Sequence, residues 1–540
     1  MSIEDSPTVE HRRYQTGAES SVIGGADVDG SPTVEQRRPA DDSPTVEIDP
    51  ATVTGSAPQG GGLSSGMRWS GISMAGRQVF TVLFTIVLAR IVGPDSFGIV
   101  AQATVYIGVV GLLLDQGFSS ALIQRPIVEK DMPGAVVTVN LGIGALLAVI
   151  TVAIAPAWAL FMETPALTGV LMALAPTLFI RSLAITPRAM LLRGMEFRKI
   201  GIADITSAAL GGAVGVTYAA LGGGYWALVA QILSTDIVLA VVMLLAGAGR
   251  WPNLRMHRLK EIAGFSWRAF AAGLLINSVS RNIDNVLVGR FQGPEQLAFY
   301  GLAYRLLLLP VQLASTMIGT VLFPAFSRLA GNLTALASET AKATRALAAL
   351  VLPAMALVAA AAPQIVLLLF GHDWLPAVPI VQVLATAGAF QAIYTPSHAP
   401  LVLGLGEAGL NLKLAWLTTI VSTVGIVAGL PFGAIGVAIG YTIATVALVP
   451  VEWVVRRRLV GMTVRSQIAT LGPGLHVGFW MVVVYLAIAV AIDGHDLIVL
   501  IAGLIAAVAA ALAVLRVAHR TQLRELLSMG NSLAGRFGRS

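Results

Sequence analysis

The sequence predicts an all-α integral membrane protein of about 14 transmembrane helices. It would comprise two parallel-repeat six-helix lobes and two further C-terminal helices. Three observations predict this. The composition is 56% hydrophobic and only 12% charged, half the roughly 25% charge of a soluble domain. The apolar residues fall in successive runs of the length that crosses a bilayer, about 20 residues. Lys and Arg gather in every second connection between those runs, the bias that orients membrane helices.

Residues 1–66 are rich in Ser, Thr, Gly, Pro and Asp and lack apolar periodicity. They bury too little surface to fold alone and read as a disordered cytoplasmic tail. Asp5-Ser-Pro-Thr8-Val-Glu10 recurs as Asp42-Ser-Pro-Thr45-Val-Glu47, and Ser31-Pro-Thr33-Val-Glu35 repeats five of the six positions. Two readings stand: duplicated linker, or phosphorylation sites at Thr8, Thr33 and Thr45 for a phosphothreonine-binding protein. No early apolar core marks a signal peptide.

From residue 67 onward the expected spans are 70–92, 98–117, 134–160, 166–187, 201–221, 225–247, 263–290, 297–325, 347–370, 377–400, 412–430, 433–455, 475–492 and 497–517. With both termini placed in the cytoplasm, every cytoplasmic connection carries Lys or Arg, with basic clusters at 188–199, 250–260 and 456–465. The opposite connections carry Asp95, Glu163, Glu295, Asp373, Asp493 and Asp496 and no Lys or Arg. The net charge of +6 is therefore orientation information, and no nucleic-acid partner is implied. The chain has no Cys, so disulfides and thiolate chemistry are excluded. No metal or cofactor motif is present: Gly60-Gly-Gly62 lacks the strand and Lys of a phosphate loop.

An internal repeat divides the membrane part. At a constant offset of 200, Arg90, Gly93, Pro94 and Asp95 correspond to Arg290, Gly293, Pro294 and Glu295. Six spans separate the copies, so they run in the same direction, the relation of two parallel transporter halves. This gives an N-lobe over 67–262, a C-lobe over 263–458, two extra helices over 459–518 and a cytoplasmic tail over 519–540. The motif itself reads as a tight Gly-Pro turn whose acid caps the next helix and whose Arg anchors the turn.

The stretch IVLARIVGPDSFGIVAQATVYIGVVGLLLDQGFSSALIQR over 86–125 resembles the opening of Wzx-type polysaccharide transporters, members of the multidrug/oligosaccharidyl-lipid/polysaccharide exporter superfamily. Arg188 to Arg198, Gly224 to Val229 and Asn282 to Arg290 fit the same family. The likeness runs from about residue 70 to 455 and excludes the long N-terminal tail. It implies a flippase that moves a polyprenyl-diphosphate-linked oligosaccharide from the inner to the outer leaflet, for cell-surface polysaccharide or lipopolysaccharide biosynthesis. It implies no enzymatic step, an inner (plasma) membrane location, lipid and lipid-linked oligosaccharide as partners, a monomer, and a polysaccharide polymerase nearby.

Charge inside a membrane costs about 2.5–3.5 kcal/mol or more and marks functional positions by default. Arg77 lies in the first span, Arg281 in the seventh. Asn277 at i−4 and Asp284 at i+3 share a face with Arg281, with Asn285 beside it. These residues and Arg305 in span eight form the candidate substrate path. Guanidinium forks suit diphosphate oxygens, and amides and carboxylates suit sugar hydroxyls. The alternative for Arg281 is a self-neutralising pair with Asp284; for Arg77 it is snorkelling to the cytoplasmic surface. Asp236, mid-span in helix six, either pairs with Arg181 or acts as a coupling acid. Asp204 and Asp115 read as solvated or capping groups.

The competing functions are an ion-coupled multidrug or small-molecule antiporter, which selects cations with acids, a polytopic glycosyltransferase, and a scaffold that recruits partners through its tail. Intramembrane Arg outnumber the acids here, which favours an anionic cargo. The short outer connections leave a transferase no room for catalytic groups.

Overall fold

In the computed structural model, the described residues are 63–114, 122–123, 128, 131–246, 252–253, 279–329, 331–492 and 494–524. No β-strand occurs among them. The N-terminal repeats with Thr8, Thr33 and Thr45, Asp115, most of the 250–260 cluster, Asn277, Asp493 and the last 16 residues lie outside them.

Helix follows helix. The N-terminal half holds α1 (Leu63–Val92), α2 (Pro94–Gly111), α3 (Met132–Phe161), α4 (Ala166–Leu174), α5 (Pro176–Arg193), α6 (Phe197–Ala220) and α7 (Tyr225–Ala246). The C-terminal half holds α8 (Val279–Phe291), α9 (Gly293–Leu329), α10 (Leu333–Phe370), α11 (Ala377–Gly404), α12 (Ala408–Gly429), α13 (Gly433–Ala447) and α14 (Val449–Val460). Then come α15 (Val464–Ala491) and α16 (Asp496–Ala518). Wherever the chain is described, helix underlies each expected span. Among the described residues, ten stretches are long and apolar enough to cross a membrane, and one of them, 408–460, doubles back through a short turn at 430–432. A bilayer core offers backbone groups no partner, so each span must satisfy its own, which only a helix can do singly.

The breaks are written locally. Gly93 and Gly293 both adopt φ above +80° or at it, a conformation that costs any residue with a Cβ. Pro94 then occupies the first turn of α2, where its missing N–H is no loss. Pro176 likewise separates α4 from α5 within one span. Asp95 lies in the first turn of α2, where the helix dipole favours a carboxylate.

The halves repeat their packing. Gly211 and Gly215 of α6 face Thr235 and Gln231 of α7 with no room for a Cβ. Gly425 and Gly429 of α12 meet Gly440 and Gly436 of α13 in the same way, backbone on backbone. Small residues let helices approach closely in lipid, where burial from water does not drive association. One buried cluster draws on α1 to α7, and another on α8 to α15; the second takes in Ala89 of α1 and has Phe97 and Ala101 of α2 packed against it, so the halves also share apolar contact. α15 seats Gly474 and Gly478 against Ala348 and Pro353 of α10, which ties the last two helices to the C-terminal half.

Candidate functional site: a charged cavity between the halves

A cavity of about 570 Å³ lies between the two halves. Its N-terminal wall comes from α1, α2, α5, α6 and α7; Leu302, Arg305, Leu306 and Leu308 of α9 and Phe370 of α10 form the opposite wall. On α1, Arg77, Thr81 and Thr85 line it at four-residue intervals, one helical face. Gln231 and Thr235 of α7 repeat that spacing, and Gln78, Thr104 and Ser207 add further polar groups.

Three guanidiniums, of Arg77, Arg181 and Arg305, line this space, and a fourth, of Arg188, holds the lining acid Asp204. Arg181 Nε donates to Asp236 Oδ2 at 2.8 Å. Arg188 holds Asp204 through both nitrogens, Nη1 to Oδ1 at 2.9 Å and Nη2 to Oδ2 at 3.1 Å. In each pair the Arg side chain is 37% exposed and the Asp only about a tenth. The buried acid thus orients a cation whose other edge stays open. Arg77 and Arg305 differ: both are exposed, both line the cavity, and neither forms an ion pair among the described residues. The Arg305 guanidinium lies 5.9 Å over the Phe97 ring, a cation–π contact that fixes its position. Each half therefore presents one guanidinium outside any direct ion pair among the described residues, Arg77 within electrostatic reach of the Asp236 carboxylate that Arg181 holds.

The expected path is reassembled by this geometry. Arg77 and Arg305 come together, with Arg181 and Asp236 beside them. Asp284 does not join them. It is 4% exposed, inside the C-terminal half, where Oδ2 accepts from the Tyr300 hydroxyl at 3.1 Å and Oδ1 from the Asn285 backbone N–H at 2.8 Å. Tyr300 stacks on Tyr304, which meets Tyr441 edge to face. Asn285 is half-buried and also outside the cavity lining. Sharing a helical face with Arg281 was the ground for placing Asp284 in the path; α9 packs against that face and captures the carboxylate. Arg281 stands in the first turn of α8, and its side chain, like Asn277, is outside the described set. Asp204 is neither solvated nor a cap, but a buried partner of Arg188.

Arg188 and Asp204 were missed as a pair because Arg188 belongs to a basic cluster that reads as a topology signal. The Arg77-Thr81-Thr85 stripe was legible from spacing alone. The repeat arginines are not confined to their own turns: Arg290 Nη2 reaches Glu163 Oε1 of the other half at 2.8 Å, and Arg90 lies beside Gly371.

Comparison with known proteins places this geometry in context. A family model described as polysaccharide biosynthesis protein matches residues 87–379. The succinoglycan biosynthesis transport protein ExoT of Rhizobium meliloti (strain 1021) is 26% identical over 72% of this chain and 79% of its own. The lipopolysaccharide biosynthesis protein WzxC of Escherichia coli (strain K12) is 25% identical over 80% of this chain and 88% of its own. Among solved structures, the lipid II flippase MurJ in an inward closed conformation aligns with a TM-score of 0.67 at 14% identity, covering 84% of this chain and 99% of that one. An inward-facing multidrug resistance MATE family transporter aligns with a TM-score of 0.57 at 16% identity, covering 73% and 98%. At those identities the structural likeness concerns the fold. With its family model covering more than half its length, this multi-pass membrane chain belongs to the polysaccharide biosynthesis protein family.

Proposed function

We propose that the protein is a flippase. It moves a polyprenyl-diphosphate-linked oligosaccharide from the inner to the outer leaflet of the plasma membrane by alternating access, with both termini in the cytoplasm. The observation that carries this reading is the pair of guanidiniums, Arg77 and Arg305, that line opposite walls of one cavity outside any direct ion pair among the described residues. A diphosphate diester carries two negative charges, which these two cations neutralise. Planar forks bind such oxygens at two points each, and in a partly dry cavity an ion pair at 4 Å gains about 4 kcal/mol.

The rest of the wall suits the sugar end. Thr81, Thr85, Thr104, Thr235, Gln78 and Gln231 offer hydroxyl and amide groups, while the lipid tail stays in the bilayer. Carrying uncompensated charge across a membrane potential costs about 2.3 kcal/mol per charge per 100 mV, so the loaded cavity reorients at lower cost than a charged one. A cation-exporting antiporter is less well served. Both acids of the lining, Asp204 and Asp236, are held by arginines.

Deleting the gene tests this reading. A lipid-linked oligosaccharide is expected to accumulate on the cytoplasmic leaflet, detected by lipid extraction and mass spectrometry. A deletion strain with normal surface polysaccharide and no accumulated diphosphate lipid contradicts it.

A further inference from the structure

The Gly-Pro-acid repeat lies at one end of the seam between the halves, and there each half reaches into the other. From the C-terminal half, Arg290 at the end of α8 bonds Glu163 in the turn between α3 and α4, with its guanidinium 5.8 Å over Phe161. From the N-terminal half, Arg90 at the end of α1 runs along Gly371 in the turn between α10 and α11. Those two turns are equivalent in the repeat: each follows a helix that ends in Phe, at Phe161 and Phe370, precedes one that begins in Ala, at Ala166 and Ala377, and holds a residue at positive φ, Glu163 and Gly371. The crossings are therefore reciprocal.

Two further contacts lie under them. Trp374, 1% exposed, donates its indole N–H to the Ala89 carbonyl at 3.0 Å. It packs against both Phe97 and Phe370, the two aromatic side chains that line the cavity. Deeper in the seam, Gly98 of α2 rests on the Pro294 carbonyl so closely that a Cβ has no room. One turn further along α2, Gln102 donates to the Gly289 carbonyl at 2.8 Å, while its own side-chain oxygen is fully buried without a partner.

These contacts have the character of a reversible seal. They combine single hydrogen bonds to backbone carbonyls and one partly exposed ion pair with the packing of Phe97 on Trp374. Exposed ion pairs contribute little, and a buried unpaired oxygen favours the state in which water reaches it. Glu163 sits at φ +54°, a left-handed conformation that strains a residue with a Cβ, and there its carboxylate reaches Arg290. The equivalent Gly371 adopts φ +97° without that cost.

We propose that this reciprocal clasp is the gate that closes the cavity at the Gly-Pro end. The repeated turns part when the halves rock, and Glu163–Arg290 is the latch. The proposal rests on the alternating-access reading above. Because the chain has no Cys, Glu163→Cys with Arg290→Cys can be bridged by a thiol-cleavable bismaleimide in proteoliposomes. Flipping of a labelled polyprenyl-diphosphate oligosaccharide is expected to fall to the protein-free background when the bridge forms and to return on cleavage. Undiminished flipping by the bridged protein overturns the gate and leaves the flippase reading intact. A second arm needs no transport. Ala89→Cys, buried beneath Trp374, is expected to resist a membrane-impermeant maleimide, and to react when Gly98→Val wedges the seam open. No gain of labelling in that variant overturns the gate, even if the unmodified protein flips nothing, a result that would count against the flippase reading alone.

Discussion

Asp236 lies buried behind Arg181 and takes its Nε hydrogen bond at 2.8 Å, leaving the rest of the guanidinium open to the cavity. A cation held in this way is presented to cargo in one orientation. Asp236→Asn keeps the shape but removes the charge that positions Arg181. Flipping is expected to fall about tenfold, the effect of losing one charge-assisted hydrogen bond of roughly 1.5 kcal/mol, with the protein still present in the membrane. Transport at the parent rate would show that the pair serves packing alone.

Breaking the neighbouring pair is expected to cost stability. Arg188 and Asp204 form two hydrogen bonds at 2.9 and 3.1 Å, and Asp204 is 8% exposed. Removing one partner of a buried pair costs about 3–5 kcal/mol, whereas replacing both by apolar residues is often neutral. Arg188→Met alone should therefore lower the melting temperature in detergent more than Arg188→Met with Asp204→Leu. Equal losses would place the pair in full solvent.

Asp284 has no cationic partner among the described residues; its hydrogen bonds come from Tyr300 and the Asn285 backbone. Asp284→Asn keeps an acceptor for Tyr300 and removes a charge from a buried site. The melting temperature is expected to hold or rise, while Asp284→Leu, which orphans the Tyr300 hydroxyl, lowers it. A marked loss of stability in Asp284→Asn would point to a bound cation there.

Beyond the end of α16, His519 accepts a hydrogen bond through Nε2 at 3.0 Å from His476 Nδ1, and His476 Nε2 accepts from Trp480 at 3.1 Å. Burial and the neighbouring His476 hold the His519 pKa below its ordinary 6.5. The folded state then binds fewer protons than the unfolded one, so this contact's stability is full above the unfolded pKa and is lost as pH falls through the folded one. The protection of the α15–α16 ends against hydrogen exchange, corrected for the intrinsic pH dependence of exchange, is expected to fall between pH 7.5 and 5. His519→Gln should abolish that difference.

Much of this was legible in the sequence, for physical reasons. Span positions follow from what lipid demands of a backbone, so helix underlies each expected span that is described. The repeat of Arg90-Gly-Pro-Asp95 in Arg290-Gly-Pro-Glu295 located equivalent turns. The Arg77 face was readable because spacing within one helix is local. Contacts between helices were not. Asp204 lies 16 residues from Arg188, and only the α5–α6 packing joins them. Asp284 shares a face with Arg281 in any helix, yet Tyr300 of the next helix takes its carboxylate. Likewise, nothing in the turn motif says that Arg290 crosses to Glu163.

The most direct measurement compares the unmodified protein with Arg77→Ala and Arg305→Ala, singly and together, in proteoliposomes that carry a labelled polyprenyl-diphosphate oligosaccharide. Each single change is expected to slow flipping about 10- to 100-fold, from roughly 1.5–3 kcal/mol per charged hydrogen bond. The double change should bring it to the protein-free background. Flipping by the double variant at the rate of the unmodified protein, at equal reconstituted amounts, would contradict the claim that these two charges carry the headgroup.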